Sequence, residues 1–485
     1  MGILEIKKER LKKLENLKKA GIDPYPSKVK PHKKISEAIL NFDKLKGKEI
    51  ALVGRIKQIR KHGGATFLDF EDGTGKFQAH LRRDKLGKEK YKFFLENFDI
   101  GDFVYFRGTL FLTKTGEKTI EVEEYQMLAK SLLPLPEKWH GLKDIEERFR
   151  KRYLDLLMQK EVKEKFIIRS KIISEIRNFL QKEGFIEVET PILQPLAGGA
   201  SATPFETYLE ALDLKLYLRI APELYLKRLL VGGFEKVFEI GRVFRNEGID
   251  RSHNPDFTSL EFYWAYADYE DLMKLCERML SFVVKKIFGK LEVEYQGRKI
   301  SFETPFKRVE FFDLLSEKLG KNAREIKEEK LKELARDQKI PVEGKSKAKL
   351  FDDLFKKLCL SGIKDPTFVL HQPIELTPLA KRWEKDPTLA ARFQLIVAGW
   401  EIVNAFSELN DPIEQKKRFI EQQEEKKKGD REAHPFDEDF IEALEYGMPP
   451  AAGFGMGIDR LSAVLTNSKT LREIILFPLM RPKKE

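Results

Sequence analysis

VFEIGRVFRNEGIDRSHNPDFTSLEFYWAY, residues 237–266, contains two period-two runs, VFEIGRVFR and FTSLEFYWAY, on either side of an eleven-residue loop, Asn246–Asp256. Strict alternation predicts an antiparallel hairpin with a long polar loop. Glu239, Gly241, Val243 and Arg245 share one face of the first run. Phe257, Ser259, Glu261 and Tyr263 share one face of the second, while Leu260, Phe262 and Trp264 point the other way, into a core. A polar, charged face on an apolar hairpin needs a partner. Arg245, at the strand end, can meet a phosphate or carboxylate with two parallel hydrogen bonds, and Glu247, His253 and Asn254 in the loop can frame a nucleotide base. A solvated sheet face closed by an Arg/Glu ion pair is the alternative.

A second hairpin is expected at Phe393–Phe406. A turn at Ala398-Gly399 pairs Ile396 with Glu401 and Gln394 with Val403. Gln394 and Glu401 then become diagonal neighbours about 7 to 8 Å apart at Cα, close enough for their oxygens to share one Mg²⁺. Asn404 and Glu408 fall on the other parity, so bringing them to the same pocket needs a bulge or a strand end. Glu223 follows Pro222 at a helix start, where it either complements the helix dipole or binds an ammonium group. Gly453, Gly455 and Gly457 lead into Ile458-Asp459-Arg460 at another helix start. There the backbone can approach a ligand and Arg460 can face triphosphate oxygens, or the segment is an ordinary strand-to-helix turn. GxGxG is not the dinucleotide fingerprint GxGxxG, and no GxxxxGK[ST] phosphate loop occurs.

From Ile50 to Leu128 the pattern is short strands and turns, with turn signals at His62-Gly63-Gly64, Asp72–Gly75 and Thr115-Gly116. Ile50, Leu52 and Ile56, then Thr66, Leu68 and Phe70, then Phe77, Ala79 and Leu81 face inward; Arg55, Lys57, Phe67, Gln78 and Arg82 face outward. An aromatic among basic and amide side chains suits an OB-type barrel, with Phe67 stacking on an unpaired base and Gln78 bonding its edge. It equally suits an ordinary polar outer face. The expected organisation is a basic amphipathic helical extension over 1–45, a barrel over 46–133, a linker over 134–165 and a larger α+β domain over 166–485 with a Lys/Glu-rich helical insertion at about 317–358. Packing on the body and contact with RNA or a membrane surface both fit the N-terminal helix.

The chain has 485 residues, enough for about three domains at roughly one per 150. A net charge of +11 attracts polyanions such as nucleic acid. No apolar stretch approaches the roughly 20 residues of a membrane span, and Met1–Leu14 carries no signal-peptide run. Two cysteines, Cys276 and Cys359, far apart and without CxxC spacing, fit a reducing cytoplasm.

Taken together, these stretches resemble the three signature motifs of the class II aminoacyl-tRNA synthetases, and are most similar to the lysyl-tRNA synthetases among them. Motif one resembles GFIEVETPIL (184–193), motif two FRNEG with HNPDFTSLEFYWAYADY (244–248, 253–269), and motif three GMPPAAGFGMGIDRL (447–461). GGASATPF (198–205), RIAPELYLKRLLVGGFEKVFEIGR (219–242) and NAFSELNDP (404–412) resemble blocks more specific to the lysyl family. The resemblance implies an OB-fold anticodon-binding barrel followed by a catalytic domain on an antiparallel sheet flanked by helices, in a cytoplasmic homodimer with Pro191 near the interface. It implies an enzyme that joins L-lysine to tRNA(Lys) through lysyl-adenylate, using ATP and Mg²⁺. By resemblance, Arg245 and Arg460 are catalytic and, with Glu247, His253, Asn254, Phe257 and Glu401, bind ATP. Gly199, Glu223, Glu261, Tyr263, Asn404 and Glu408 would hold lysine, Glu401 and Gln394 the metal, and Arg60, Phe67, Gln78 and Glu124 the anticodon. The family usually has Glu where this chain has Gln394.

Overall fold

The structure, a computed structural model, describes residues 2–136, 144–427 and 435–483. Two compact units divide the chain, Met1–Lys143 and Asp144–Glu485. Residues 137–143 of the expected linker lie outside the described residues; beyond them stand two short helices, Ile145–Arg150 and Arg152–Met158.

The first unit opens with helix α1 (Ile3–Lys19). Its Leu17 is buried, and the Arg10 guanidinium donates to the backbone carbonyls of Ile100, Ser131 and Leu133, so the helix is packed on the body. Strands β1 (Glu49–His62), β2 (Ala65–Glu71), β3 (Lys76–Arg82), β4 (Phe103–Leu112) and β5 (Lys118–Ala129) close a barrel in the order β1-β2-β3-β5-β4. Alternation builds it: Leu52, Ile56, Leu68, Phe70, Ala79 and Leu81 are all fully buried inside. A bulge at Lys57 shifts the register of β1 against β2 between Ile56↔Phe70 and Gln58↔Asp69. The shift brings Arg60 opposite Phe67.

In the second unit α2 (Lys160–Lys182) precedes β6 (Ile186–Glu187). This strand ends before Pro191. Pro191 cannot donate to a ladder, and the Thr190 backbone N–H and hydroxyl turn to the Glu239 carboxylate instead. Then follow α3 (Glu223–Val231), β7 (Lys236–Phe244), β8 (Asp256–Ala265), α4 (Tyr269–Phe288), β9 (Lys307–Glu310), α5 (Lys347–Leu358), β10 (Thr367–Leu370), β11 (Arg392–Val397), β12 (Trp400–Ser407), β13 (Ala451–Gly457) and α6 (Ile458–Leu465). Eight strands form one sheet in the order β9-β10-β11-β12-β13-β8-β7-β6, antiparallel in its interior and parallel at both edges. The sheet is therefore mixed, flanked by helices. Phe262 stacks on Phe454 at 4.3 Å, and Leu260, Ile172, Ile176, Met279 and Leu280 join the same core under the sheet, between it and helices α2 and α4. α4 begins at a capping box, with the Asp268 side chain accepting from the N–H groups of Glu270 and Asp271. Residues 317–358 are largely helical, and α5 buries Leu350, Phe351, Leu354 and Phe355 with Val369 and Ile396 of the sheet. Among the described residues no helix is long and apolar enough to cross a membrane.

Candidate active site and nucleic-acid face

The central strands leave a cavity of about 490 Å³ on the sheet face opposite that core. β13 carries glycines there because other side chains lie across it: a Cβ on Gly453 would sit 2.0 Å from Glu408 Oε1 and 2.5 Å from the Tyr263 ring. Arg245 stands just past the end of β7 with its guanidinium 5.1 Å over the Phe257 ring and its Nε buried without a partner. Desolvation and the nearby Arg460 both lower its pKa. A guanidinium nonetheless stays charged at neutral pH. Arg460, in the first turn of α6, donates from Nη1 to the Glu401 carbonyl at 2.9 Å and places Nη2 3.3 Å from His253 Nε2. His253 in turn faces Asp250 at 2.9 Å. Glu247, His253 and Asn254 line the cavity beside the two arginines, which together make an anion-binding wall.

Carboxylates line the cavity as well, Glu223 and Glu261 among them. Glu223 begins α3 beneath Gly199, whose backbone has φ +89 and whose missing Cβ would fall 2.9 Å from the Glu223 Cβ. In the hairpin register Glu239 lies opposite Glu261, but their fates differ. Glu239 is consumed by the buried Arg219 and by Thr190, a buried Arg/Glu pair and not the solvated one considered as the alternative for this face. Glu261 faces the cavity and accepts from Tyr263 Oη at 3.3 Å. Glu408 is fully buried behind them rather than lining the cavity. Burial pushes the carboxyls of Glu223, Glu261 and Glu408 upward, and Glu261, with Glu223 adding repulsion, reaches about 8. Such a cluster favours a cationic ligand, because an arriving ammonium offsets the cost of keeping the carboxylates ionised.

The β11–β12 hairpin departs from the expected pairing. Ile396 faces Glu401 as read, but Gln394 pairs with Asn404, not Val403. Ile402 is an extra residue in β12, and this bulge reverses the parity beyond it. Glu401, Asn404 and Gln394 consequently all line one cavity. The buried Arg392 fixes Asn404 by donating from Nε to its Oδ1 at 2.7 Å. The Gln372 amide approaches Gln394 Oε1 at 3.5 Å.

On the barrel, Arg60, Phe67 and Gln78 stand on adjacent strands. Arg60 forms a bidentate pair with Asp69 at 2.9 and 3.1 Å, and Gln78 Oε1 accepts from the Thr119 hydroxyl at 2.9 Å. Phe67 stacks on His80 with centroids 4.2 Å apart and planes 5° from parallel. The alternation of KFQAHLR puts His80 on the face of Gln78, and that signal could have identified it. Glu124 on β5 accepts from Arg107 Nε at 2.8 Å and pairs with Lys30.

Residues 144–481 match the family described as tRNA synthetases class II (D, K and N), and residues 50–128 that described as OB-fold nucleic acid binding domain. A lysine–tRNA ligase of Carboxydothermus hydrogenoformans is 50% identical over 485 residues, covering 99% of this chain and 98% of that protein. The lysine–tRNA ligase of Thermotoga maritima is 49% identical across 99% of this chain and 97% of its own length, and that of Aquifex aeolicus 54% identical across 90% and 74%. The chain belongs to the lysine–tRNA ligase family of class II synthetases. The synthetase match contains every residue of the cavity, and the OB-fold match contains Arg60, Phe67, Gln78 and Glu124. Three residues that hold up this class II pocket escaped the sequence reading: Arg219; Lys227, considered below; and Asp459, which accepts from Arg169 Nη2 at 2.7 Å and from the Thr258 N–H at 3.1 Å. Arg219 and Asp459 act between separate segments, so local pattern carries no sign of them; Lys227 stands four residues after Glu223 on one helix, but its second partner, Glu408, is remote.

Proposed function

We propose that the cavity activates L-lysine with ATP and passes the lysyl group to the 3′ end of tRNA(Lys). The observation that carries this reading is one cavity that holds the arginines Arg245 and Arg460 together with the buried carboxylates Glu223 and Glu261, backed by the buried Glu408. A zwitterion with a second ammonium group satisfies both. A lysine carboxylate oxygen attacks the α-phosphorus of ATP, the bond to the bridging oxygen breaks, and pyrophosphate leaves. The terminal ribose hydroxyl of the tRNA then attacks the lysyl carbonyl carbon and releases AMP. Arg245 would neutralise charge growing on the α-phosphate and Arg460 charge on the leaving pyrophosphate, while Phe257 and His253 would enclose the adenine. Charging of tRNA(Lys) with labelled lysine tests the whole sequence; failure to charge it in the presence of ATP and Mg²⁺ would contradict the assignment.

Glu401 and Gln394 are the residues that would hold Mg²⁺. Among the described residues no group of three or more His, Cys, Asp or Glu forms a self-sufficient metal site. The donors present still suit this ion, because Mg²⁺ is commonly held by one or two carboxylates together with substrate phosphates. Bound there it would offset charge on the triphosphate oxygens. An amide oxygen is a weaker ligand than a carboxylate, so Gln394→Glu is expected to lower the Mg²⁺ concentration that half-saturates pyrophosphate exchange. Identical Mg²⁺ titrations of the two proteins would remove Gln394 from the metal's surroundings.

The raised Glu261 carboxyl gives a pH dependence with a definite sign. Below about 8 the empty pocket holds a proton on Glu261. An ammonium that binds there displaces that proton, so lysine affinity falls as pH drops from 8 toward 6, by up to about tenfold per pH unit for one proton. Glu261→Gln should flatten that slope in calorimetric titrations with lysine; an unchanged slope would assign it elsewhere.

The barrel face would read the anticodon, with Phe67 as the stacking surface. Phe67→Ala should reduce charging about tenfold or more, since base–aromatic stacking is worth roughly 1 to 3 kcal/mol, while tRNA-independent exchange stays near native. Full charging by that variant would return Phe67 to a packing role against His80. A homodimer is supported by the apolar surface around Pro191, where Ile186, Ile192 and Leu193 are 53, 45 and 48% exposed. The two free, buried cysteines suit a reducing cytoplasm.

A further inference from the structure

The carboxylate cluster contains a cation of its own. Lys227, one turn into α3, is fully buried, and its Nζ donates to Glu223 Oε1 at 2.7 Å and pairs with Glu408 Oε2. The rings of Phe406 and Phe440 lie 5.7 and 5.9 Å from it, within cation–π range. This ammonium therefore takes one oxygen of each carboxylate. Glu408 Oε1 remains buried without any hydrogen-bond partner, lying where a Cβ of Gly453 would be, and Gly453 lines the cavity.

The charge arithmetic is specific. Glu223, Glu261 and Glu408 are opposed by the Lys227 ammonium, and Glu261 also by the Arg245 guanidinium, so negative charge is left over when all three are ionised. Lysine carries two ammonium groups, and its carboxylate has the arginine wall. We propose that Lys227 is a positioning residue for lysine selection: a resident ammonium that bridges Glu223 and Glu408 and leaves the unpartnered Glu408 oxygen and the residual charge to the two ammonium groups of the substrate. This rests on the reading of the cavity as a lysine site. Without Lys227, the buried Glu408 loses the cation that opposes its desolvation, and the carboxyl is pushed further toward its protonated form. A neutral carboxyl distinguishes an ε-ammonium from a methyl group far less well than a carboxylate does.

The test compares pyrophosphate exchange driven by L-lysine with that driven by L-norleucine, which has a methyl group in place of the terminal aminomethyl group, in the full-length native protein, Lys227→Met and Lys227→Gln. Lys227→Met should lower the lysine-over-norleucine ratio of kcat/KM at least about tenfold, the size of a lost charged contact, while the KM for ATP changes less than about threefold. Lys227→Gln, which still offers an N–H donor, should fall between that variant and native. If both amino acids lose equally, Lys227 only supports the fold and the proposal is overturned. It is overturned as well if thermal melting shows that neither variant folds, since Lys227 is then a structural cation. A native protein without lysine-dependent exchange removes the site reading itself, an outcome distinct from a native enzyme whose selectivity ignores Lys227.

Discussion

Arg245→Ala is expected to lower lysine-dependent pyrophosphate exchange by about a thousandfold while leaving the melting temperature near native. Removing one preorganised donor from a developing oxyanion costs about a hundred- to a thousandfold in kcat, and this side chain is charged as well. Its Nε is buried with no protein partner, so the fold makes little use of it: it is held by packing over Phe257 and aimed at something the protein does not supply. The loss should appear mainly in kcat, because charge on the α-phosphate grows in the transition state. A variant that keeps kcat and loses only ATP affinity would show Arg245 to be a ground-state contact.

Glu408→Gln should raise the KM for lysine by one to two orders of magnitude, about 1.4 to 2.7 kcal/mol, with little change in the KM for ATP. Of the two substrates, only lysine loses a charge partner. The same change leaves the Lys227 ammonium with Glu223 as its remaining partner, so a modest loss of thermal stability should accompany it. Equal increases for both substrates would place Glu408 outside the lysine contact.

Much of this site was legible because its local patterns were strict. The alternation in VFEIGRVFR and FTSLEFYWAY predicted which side of the hairpin meets the core, and the observed pairs Phe238↔Phe262 and Gly241↔Ser259 follow from it. The barrel interior followed in the same way. Parity counting failed at the bulge in the second hairpin, and a like bulge stands in the barrel. Lys57 shifts the register so that Arg60 lies opposite Phe67, and Ile402 brings Asn404 opposite Gln394. A single inserted residue costs little in a strand yet moves every later side chain to the other face, and nothing in either sequence announces it. Family resemblance named Asn404 for the pocket where parity did not, and Asn404 lines the cavity. The contacts of Arg219 and Asp459, and that of Lys227 with Glu408 across 181 positions, were invisible for another reason: each joins segments that only the tertiary fold brings together, whereas the i,i+4 pair of Glu223 and Lys227 is local.

The most direct test of the central claim is ATP–pyrophosphate exchange driven by each of the twenty amino acids in turn, with purified protein, Mg²⁺ and no tRNA. A cavity that holds two arginines together with a buried carboxylate cluster predicts exchange with lysine far above that with any other amino acid, including arginine, aspartate and asparagine. Exchange driven best by an acidic or neutral amino acid, or by none, would contradict the account.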